Sequence, residues 1–166
     1  MVLSYQTAVI TTYLVPQFAL KWIDLSHNNL KGHIPSWLLE NKVSLNYLNL
    51  QNNILIEPLM LPPRLFQNAS WLDFSRNKIN GELPTNFGVI FPNLLYLILR
   101  QNSSQGSVPS SFGYMRQLRY LELANNVSGK ITDNYLTITS VKIWSSIALE
   151  DVVDSSRVVF SSDNFC

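Results

Sequence analysis

The sequence predicts a right-handed α/β repeat solenoid with a short parallel β-sheet along its concave face. Three observations carry this prediction. Residues 22–35 read WIDLSHNNLKGHIP and residues 71–84 read WLDFSRNKINGELP, so apolar positions, one Asn, one Gly and one Pro coincide. Related stretches recur with starts 25, 24, 25 and 24 residues apart. Each copy places an Asn three residues after the second apolar position of an apolar–any–apolar triplet.

Anchoring on that Asn gives five registers. Leu20, Ile23, Leu25, Asn28 and Leu30 make the first, and Leu45, Leu48, Leu50, Asn53 and Leu55 the second. Ala69, Leu72, Phe74, Asn77 and Ile79 make the third. Leu94, Leu97, Leu99 and Asn102 make the fourth, and Leu118, Leu121, Leu123 and Asn126 the fifth. Each triplet reads as a short strand whose alternate side chains point to opposite faces. One turn cannot bury its apolar face alone, so neighbouring turns stack to make the core. The chain then bends inward and leaves backbone N–H and C=O groups without partners, which is costly away from water. A carboxamide both donates and accepts, so Asn28, Asn53, Asn77, Asn102 and Asn126 are expected to form a structural ladder inside the bend. Gly32, Gly81 and Gly106 follow each Asn by four residues, where a turn calls for positive φ. Pro35, Pro84 and Pro109 follow three residues later and remove a donor on the convex side.

The full pattern, L-x-x-L-x-L-x-x-N-x-L-x-G-x-[IVL]-P, closely resembles the plant-specific subclass of leucine-rich repeats found in receptor-like proteins and receptor-like kinases. LKWIDLSHNNLKGHIP (20–35), ASWLDFSRNKINGELP (69–84) and LLYLILRQNSSQGSVP (94–109) carry the resemblance. It implies a mostly irregular or 3₁₀ convex side, to which NFGVIFPNL and SFGYMRQL also fit. It further implies an extracellular recognition module at the plasma membrane, with a peptide or protein ligand and a co-receptor as partners.

Domain organisation follows from the register. Residues 1–19 read as a partial convex segment, 20–131 as five repeats and 132–166 as a degenerate tail or improvised cap. The second repeat lacks the Gly-x-Ile-Pro half and reads NNILIEPLMLPPRLFQ, which predicts an irregular convex loop. The fifth is one residue short between Asn126 and Gly129. The family places Cys-containing caps at its ends; this sequence has Cys166 alone, so no intramolecular disulfide forms. The chain therefore reads as an internal slice of a longer ectodomain. No recognisable signal peptide or run of about twenty apolar residues is present.

Outward strand positions form the concave face. The position before the first strand Leu or Ile is Trp22, Tyr47, Trp71, Tyr96 and Tyr120, aromatic in every repeat. The next outward column is Asp24, Asn49, Asp73, Ile98 and Glu122. The residue before each ladder Asn is His27, Asn52, Arg76, Gln101 and Asn125. Trp, Tyr and Arg are enriched at binding hot spots, so the ring column with His27 and Arg76 is the candidate ligand surface. The competing account is that the rings stabilise the sheet by cross-strand stacking. Three N-glycosylation sequons occur, at Asn68, Asn102 and Asn126. The last two are ladder positions, which leaves Asn68 as the candidate glycosylation residue.

Other chemistries find little support. A formal net charge of +1 offers no footprint for nucleic acid or an anionic membrane surface. His27 and His33 lack zinc-pair spacing, and no nucleophile elbow appears. NNVSGKIT lacks the leading Gly and the hydroxyl after Lys of a phosphate loop. No catalytic residue, metal site or cofactor is expected. The functional expectation is ligand recognition within a plant cell-surface receptor. Alternatives are a secreted inhibitor of cell-wall-degrading enzymes and a truncated receptor product without function.

Overall fold

The computed structural model describes residues 20–34, 38–39, 44–106, 108–124 and 126. The flanking segments 1–19 and 132–166, the shortened turn at Gly129 and the terminal Cys166 lie outside the described residues. The described strands are β1 (Trp22–Asp24), β2 (Lys31–Gly32), β3 (Tyr47–Asn49), β4 (Ile54–Leu55), β5 (Trp71–Asp73), β6 (Asn80–Glu82), β7 (Tyr96–Ile98), β8 (Ser103–Gln105) and β9 (Tyr120–Glu122). A one-turn helix α1 (Phe87–Ile90) and a 3₁₀ helix (Ser110–Tyr114) lie on the convex side.

The five triplet strands form one parallel sheet in chain order, β1-β3-β5-β7-β9. Their register is strict: Trp22, Tyr47, Trp71, Tyr96 and Tyr120 are successive Cα partners. Short second strands pair separately, β2 with β4 and β6 with β8. This is the leucine-rich-repeat solenoid. Inward residues Ile23, Leu48, Leu72, Leu97 and Leu121 are buried in a column, beside Leu25, Leu50, Phe74 and Leu99. Each such side chain contributes roughly 1.5–3 kcal/mol of apolar burial. Phe66, Phe87, Phe91 and Phe112 fill the convex side, with centroids 5.1 Å apart for Phe66–Phe91 and Phe87–Phe91 and 5.3 Å for Phe87–Phe112. Gly88 lets α1 meet the 3₁₀ helix: a Cβ there would stand 1.9 Å from the Ser111 carbonyl oxygen. The Gly88 N–H donates to Ser111 Oγ at 3.1 Å across the same contact.

The Asn side chains join the repeats. Asn77 Oδ1 accepts from the Leu55 N–H at 3.1 Å. Its Nδ2 donates to the Leu50 carbonyl of the preceding repeat at 2.9 Å and to Phe74 of its own at 3.1 Å. Asn53 and Asn102 repeat the arrangement, taking the Leu30 and Ile79 N–H groups and giving to Leu25 and Leu50 or to Phe74 and Leu99. Asn126 bonds Ser104 N–H and the Leu99 and Leu123 carbonyls. Asn28 is different. Its Nδ2 donates to Ser26 at 2.7 Å, but its buried Oδ1 meets no donor among the described residues.

The irregular loop expected of the second repeat needs correction at its start. Gly32, Gly81 and Gly106 take φ of +86°, +73° and +81°, and Glu57 occupies the equivalent turn position with φ 79°. The turn geometry thus survives without its glycine, because β4 pairs with β2 and Ile56 bridges Lys78. Irregularity begins only after it, where Pro58 packs against Gly81 at the place a Cβ would occupy, 2.9 Å from Pro58 Cγ.

Two stability predictions result. Glu57→Gly removes a left-handed side-chain penalty and should stabilise by about 0.5–1 kcal/mol, read as a higher urea midpoint. Asn77→Ala strands the buried Leu55 N–H and removes one of two donors to the Leu50 and Phe74 carbonyls, and should cost about 2–3 kcal/mol, whereas Asn28→Ala should cost less than about 1 kcal/mol in the same titration.

Candidate functional site

The outward face of the sheet is built by strand alternation and by the register. The five rings stack along it: Trp22–Tyr47 at 4.8 Å and 16°, Tyr47–Trp71 at 5.9 Å and 29°, Trp71–Tyr96 at 4.5 Å and 30°, and Tyr96–Tyr120 at 6.2 Å and 36°. Trp22 is 68% exposed and the other four are half-buried. Stacking occupies much of each inner ring's face. What the column offers outward most is the broad surface of Trp22.

The second column differs from a row of solvated concave residues. Asp73 and Ile98 are buried, at 7% and 9% exposure. The reason is local. Asp24, Asn49 and Asp73 turn back onto their own chain, accepting the N–H two residues on at 2.9, 3.0 and 2.8 Å. All three brace the strand ends, with Asp73 buried, Asn49 half-buried and Asp24 exposed. Asn49 Nδ2 also donates to Asp24 Oδ2 at 3.2 Å. Beside Ile98, Arg100 pairs with Glu122 at 3.3 Å, and the Tyr120 hydroxyl donates to Glu122 at 2.9 Å.

The third column runs along the flank. His27, Asn52, Arg76 and Gln101 are all exposed and all left-handed, with φ between 53° and 58°. Side chains link them in pairs, His27 Nδ1 to Asn52 Nδ2 at 2.8 Å and Arg76 Nε to Gln101 Oε1 at 3.0 Å. Asn125 lies outside the described residues. The repeat spacing brought these residues together; their shared backbone conformation was not foreseen. The signal was the break from strand to inward Asn, which only a reversed φ can turn in so few residues.

Charge follows this geometry. Partial burial pushes the Asp24 carboxyl upward, but the Ser26 hydroxyl and N–H and the Asn49 amide outweigh it and hold the group below its usual 3.8. Burial raises Tyr47 above its usual value, helped by the charges of Asp24 and Asp73 against the Asn49 bond. Burial also raises Tyr120, with its bond to Glu122 and that residue's charge. Among the described residues, no group of three or more potential ligands could hold a metal ion, and no helix is long and apolar enough to cross a membrane. A raised tyrosine favours the folded state while it stays protonated. Stability should hold below pH 10.0 and fall as pH rises above it through the folded values. Tyr47→Phe with Tyr120→Phe should flatten that fall, measured by thermal melts across alkaline pH.

Comparison with known proteins places this architecture. Residues 19–41 and 68–90 match the family model described as Leucine Rich Repeat. Receptor-like protein 14 of Arabidopsis thaliana is 42% identical over 115 residues, covering 69% of this chain and 12% of that protein. Receptor like protein 21 of the same plant is 41% identical over 130 residues, covering 77% of this chain and 13% of that protein. The Arabidopsis receptor kinase HAESA, solved with the peptide hormone IDA and the co-receptor SERK1, aligns with a TM-score of 0.63 at 26% identity, over 78% of this chain and 23% of that one. The chain thus spans 12–13% of the length of these two receptor-like proteins. The region shared with the matched family model is a leucine-rich-repeat array. The chain carries leucine-rich repeats similar to those of plant receptor-like proteins.

Proposed function

We propose that this chain is a recognition segment of a plant cell-surface receptor-like protein, serving defence or developmental signalling. It reads a peptide or protein through its concave surface on the extracellular face of the plasma membrane. A co-receptor meets the assembled surface at the flank. The observation that carries this reading is the ring column, five aromatic residues in register on one face of the sheet. Aromatic anchors supply large contact area at low entropic cost, and Trp, Tyr and Arg dominate hot spots. Trp22 presents the largest exposed ring of the column. The HAESA structure, with its peptide hormone and co-receptor, supports the same class of partner here.

Stacking and binding are separable by experiment. Tyr47 lies between two rings, so Tyr47→Ala should cost about 1–2 kcal/mol of stability, and Trp22→Ala, with one ring neighbour, less than about 1 kcal/mol. The test uses a photo-crosslinking amino acid at Tyr96, with the exposed convex Tyr114 as control, and peptides from plant extracellular fluid. Labelling at position 96 and not at 114, lost in Trp22→Ala, is the expected result. Equal labelling at both, or labelling at 114 alone, would overturn the concave reading.

A further inference from the structure

The ring column is continuous from end to end. Successive centroids of Trp22, Tyr47, Trp71, Tyr96 and Tyr120 stand 4.8, 5.9, 4.5 and 6.2 Å apart, so each ring touches the next. Indole and phenol are the aromatic side chains that give up a single electron most easily, and coupling between two rings falls steeply with their separation. Backbone joins neighbouring rings only through 24 or 25 residues. The short path from one to the next runs through space, across the repeat boundaries.

The members differ in a way that gives the column a direction. Trp22 is 68% exposed and is the ring that an oxidant in solvent meets first. Trp71 Nε1 is buried with no hydrogen-bond partner among the described residues, so no base takes its proton when an electron leaves. Tyr47 meets the Asn49 amide, which is not a base. Tyr120 is placed otherwise. Its hydroxyl donates to Glu122 Oε2 at 2.9 Å, and Arg100 holds Oε1 of the same carboxylate at 3.3 Å. Burial, then the bond to Glu122 and its charge, raise the Tyr120 phenol above its usual 10.0, so the proton stays until an electron is lost. A phenol is oxidised far more readily when a hydrogen-bonded base receives that proton in the same event.

We infer that the column is a route for one-electron oxidation, entered at Trp22 or Trp71 and ending on Tyr120, where Glu122 accepts the proton and traps the radical. The co-reactant is a one-electron radical oxidant. It takes one electron from an indole ring and is reduced. Each oxidised ring then takes one electron from its neighbour. Tyr120 supplies the last electron, and its phenolic proton passes to Glu122 Oε2. The products are the reduced oxidant, a neutral phenoxyl radical and a protonated carboxyl. The route uses contacts of the rings with one another, so it is independent of any ligand on their outer surface.

The test is pulse radiolysis of the full chain in azide buffer, where the azide radical oxidises indole selectively. Indolyl and phenoxyl radicals absorb at separate visible wavelengths, and a nitroso spin trap marks the final radical for peptide mapping. The expected result is decay of the indolyl band with matching growth of the phenoxyl band, at a rate independent of protein concentration. The trap adduct should lie on the Tyr120 peptide and not on that of the more exposed Tyr114. Tyr96→Phe keeps a ring in place that cannot be oxidised in turn, and should cut the Tyr120 adduct severalfold. Glu122→Gln keeps an oxygen near the Tyr120 hydroxyl but removes the base, and should slow phenoxyl growth and lose the adduct. Growth that scales with protein concentration, an adduct chiefly on any other tyrosine, or an unchanged adduct in Tyr96→Phe would overturn the route. An undiminished Tyr120 adduct in Glu122→Gln would overturn the proton acceptor.

Discussion

The buried amide hydrogen bond is the interaction on which the rest of this structure depends. Each turn drives backbone into the interior, and the short second strands that follow leave N–H groups such as those of Leu30, Leu55 and Ile79 for a side chain to pair. A carboxamide meets that need with one acceptor and two donors on a side chain short enough to stay rigid. Because each amide bridges its own repeat and the one before, it fixes register as well as satisfying the bend. Strict alignment of the five strands, and so the stacking of the five rings, is a consequence of that registration. The apolar columns supply the driving force, but they would tolerate sliding that the amides do not.

The outward face shows how one set of side chains answers two demands. Cross-strand ring contacts contribute about 0.5–1.5 kcal/mol each to the sheet. The same contacts pre-organise the rings, so a partner that meets them pays little ordering entropy. The carboxylates of Asp24 and Asp73 are likewise spent on strand ends. Less of the concave chemistry is free for a ligand than the list of outward residues suggests, and more of it is held rigid.

Much of this was legible in the sequence, and the reasons are physical. A ladder Asn, a period of 24 or 25 and an apolar alternation each have a structural cause that no other fold shares in combination. The ring column was visible for the same reason. What escaped was what depends on neighbours in space. Glu57 did not announce a left-handed turn, because its conformation is imposed by pairing on either side rather than by its own preference. The convex Phe stack was present in the tails that the pattern recognised, yet its contacts between repeats arise from residues 25 apart. Local pattern reads the repeat; it reads the joints between repeats only where a residue type has one possible use.

The ladder also bears on how such a chain changes over time. Every rung takes its donors and acceptors from itself and its immediate neighbours, so the array has no privileged length. Recombination that adds or deletes a whole unit restores all rungs at once, while a change of a few residues breaks one. Variation in length is therefore quantised, and variation in sequence is released between the rungs. The second repeat has shed its glycine and the regular half that follows, yet Asn53 retains its bonds on both sides. A receptor built this way can erode its convex surface freely while its inner amides keep time.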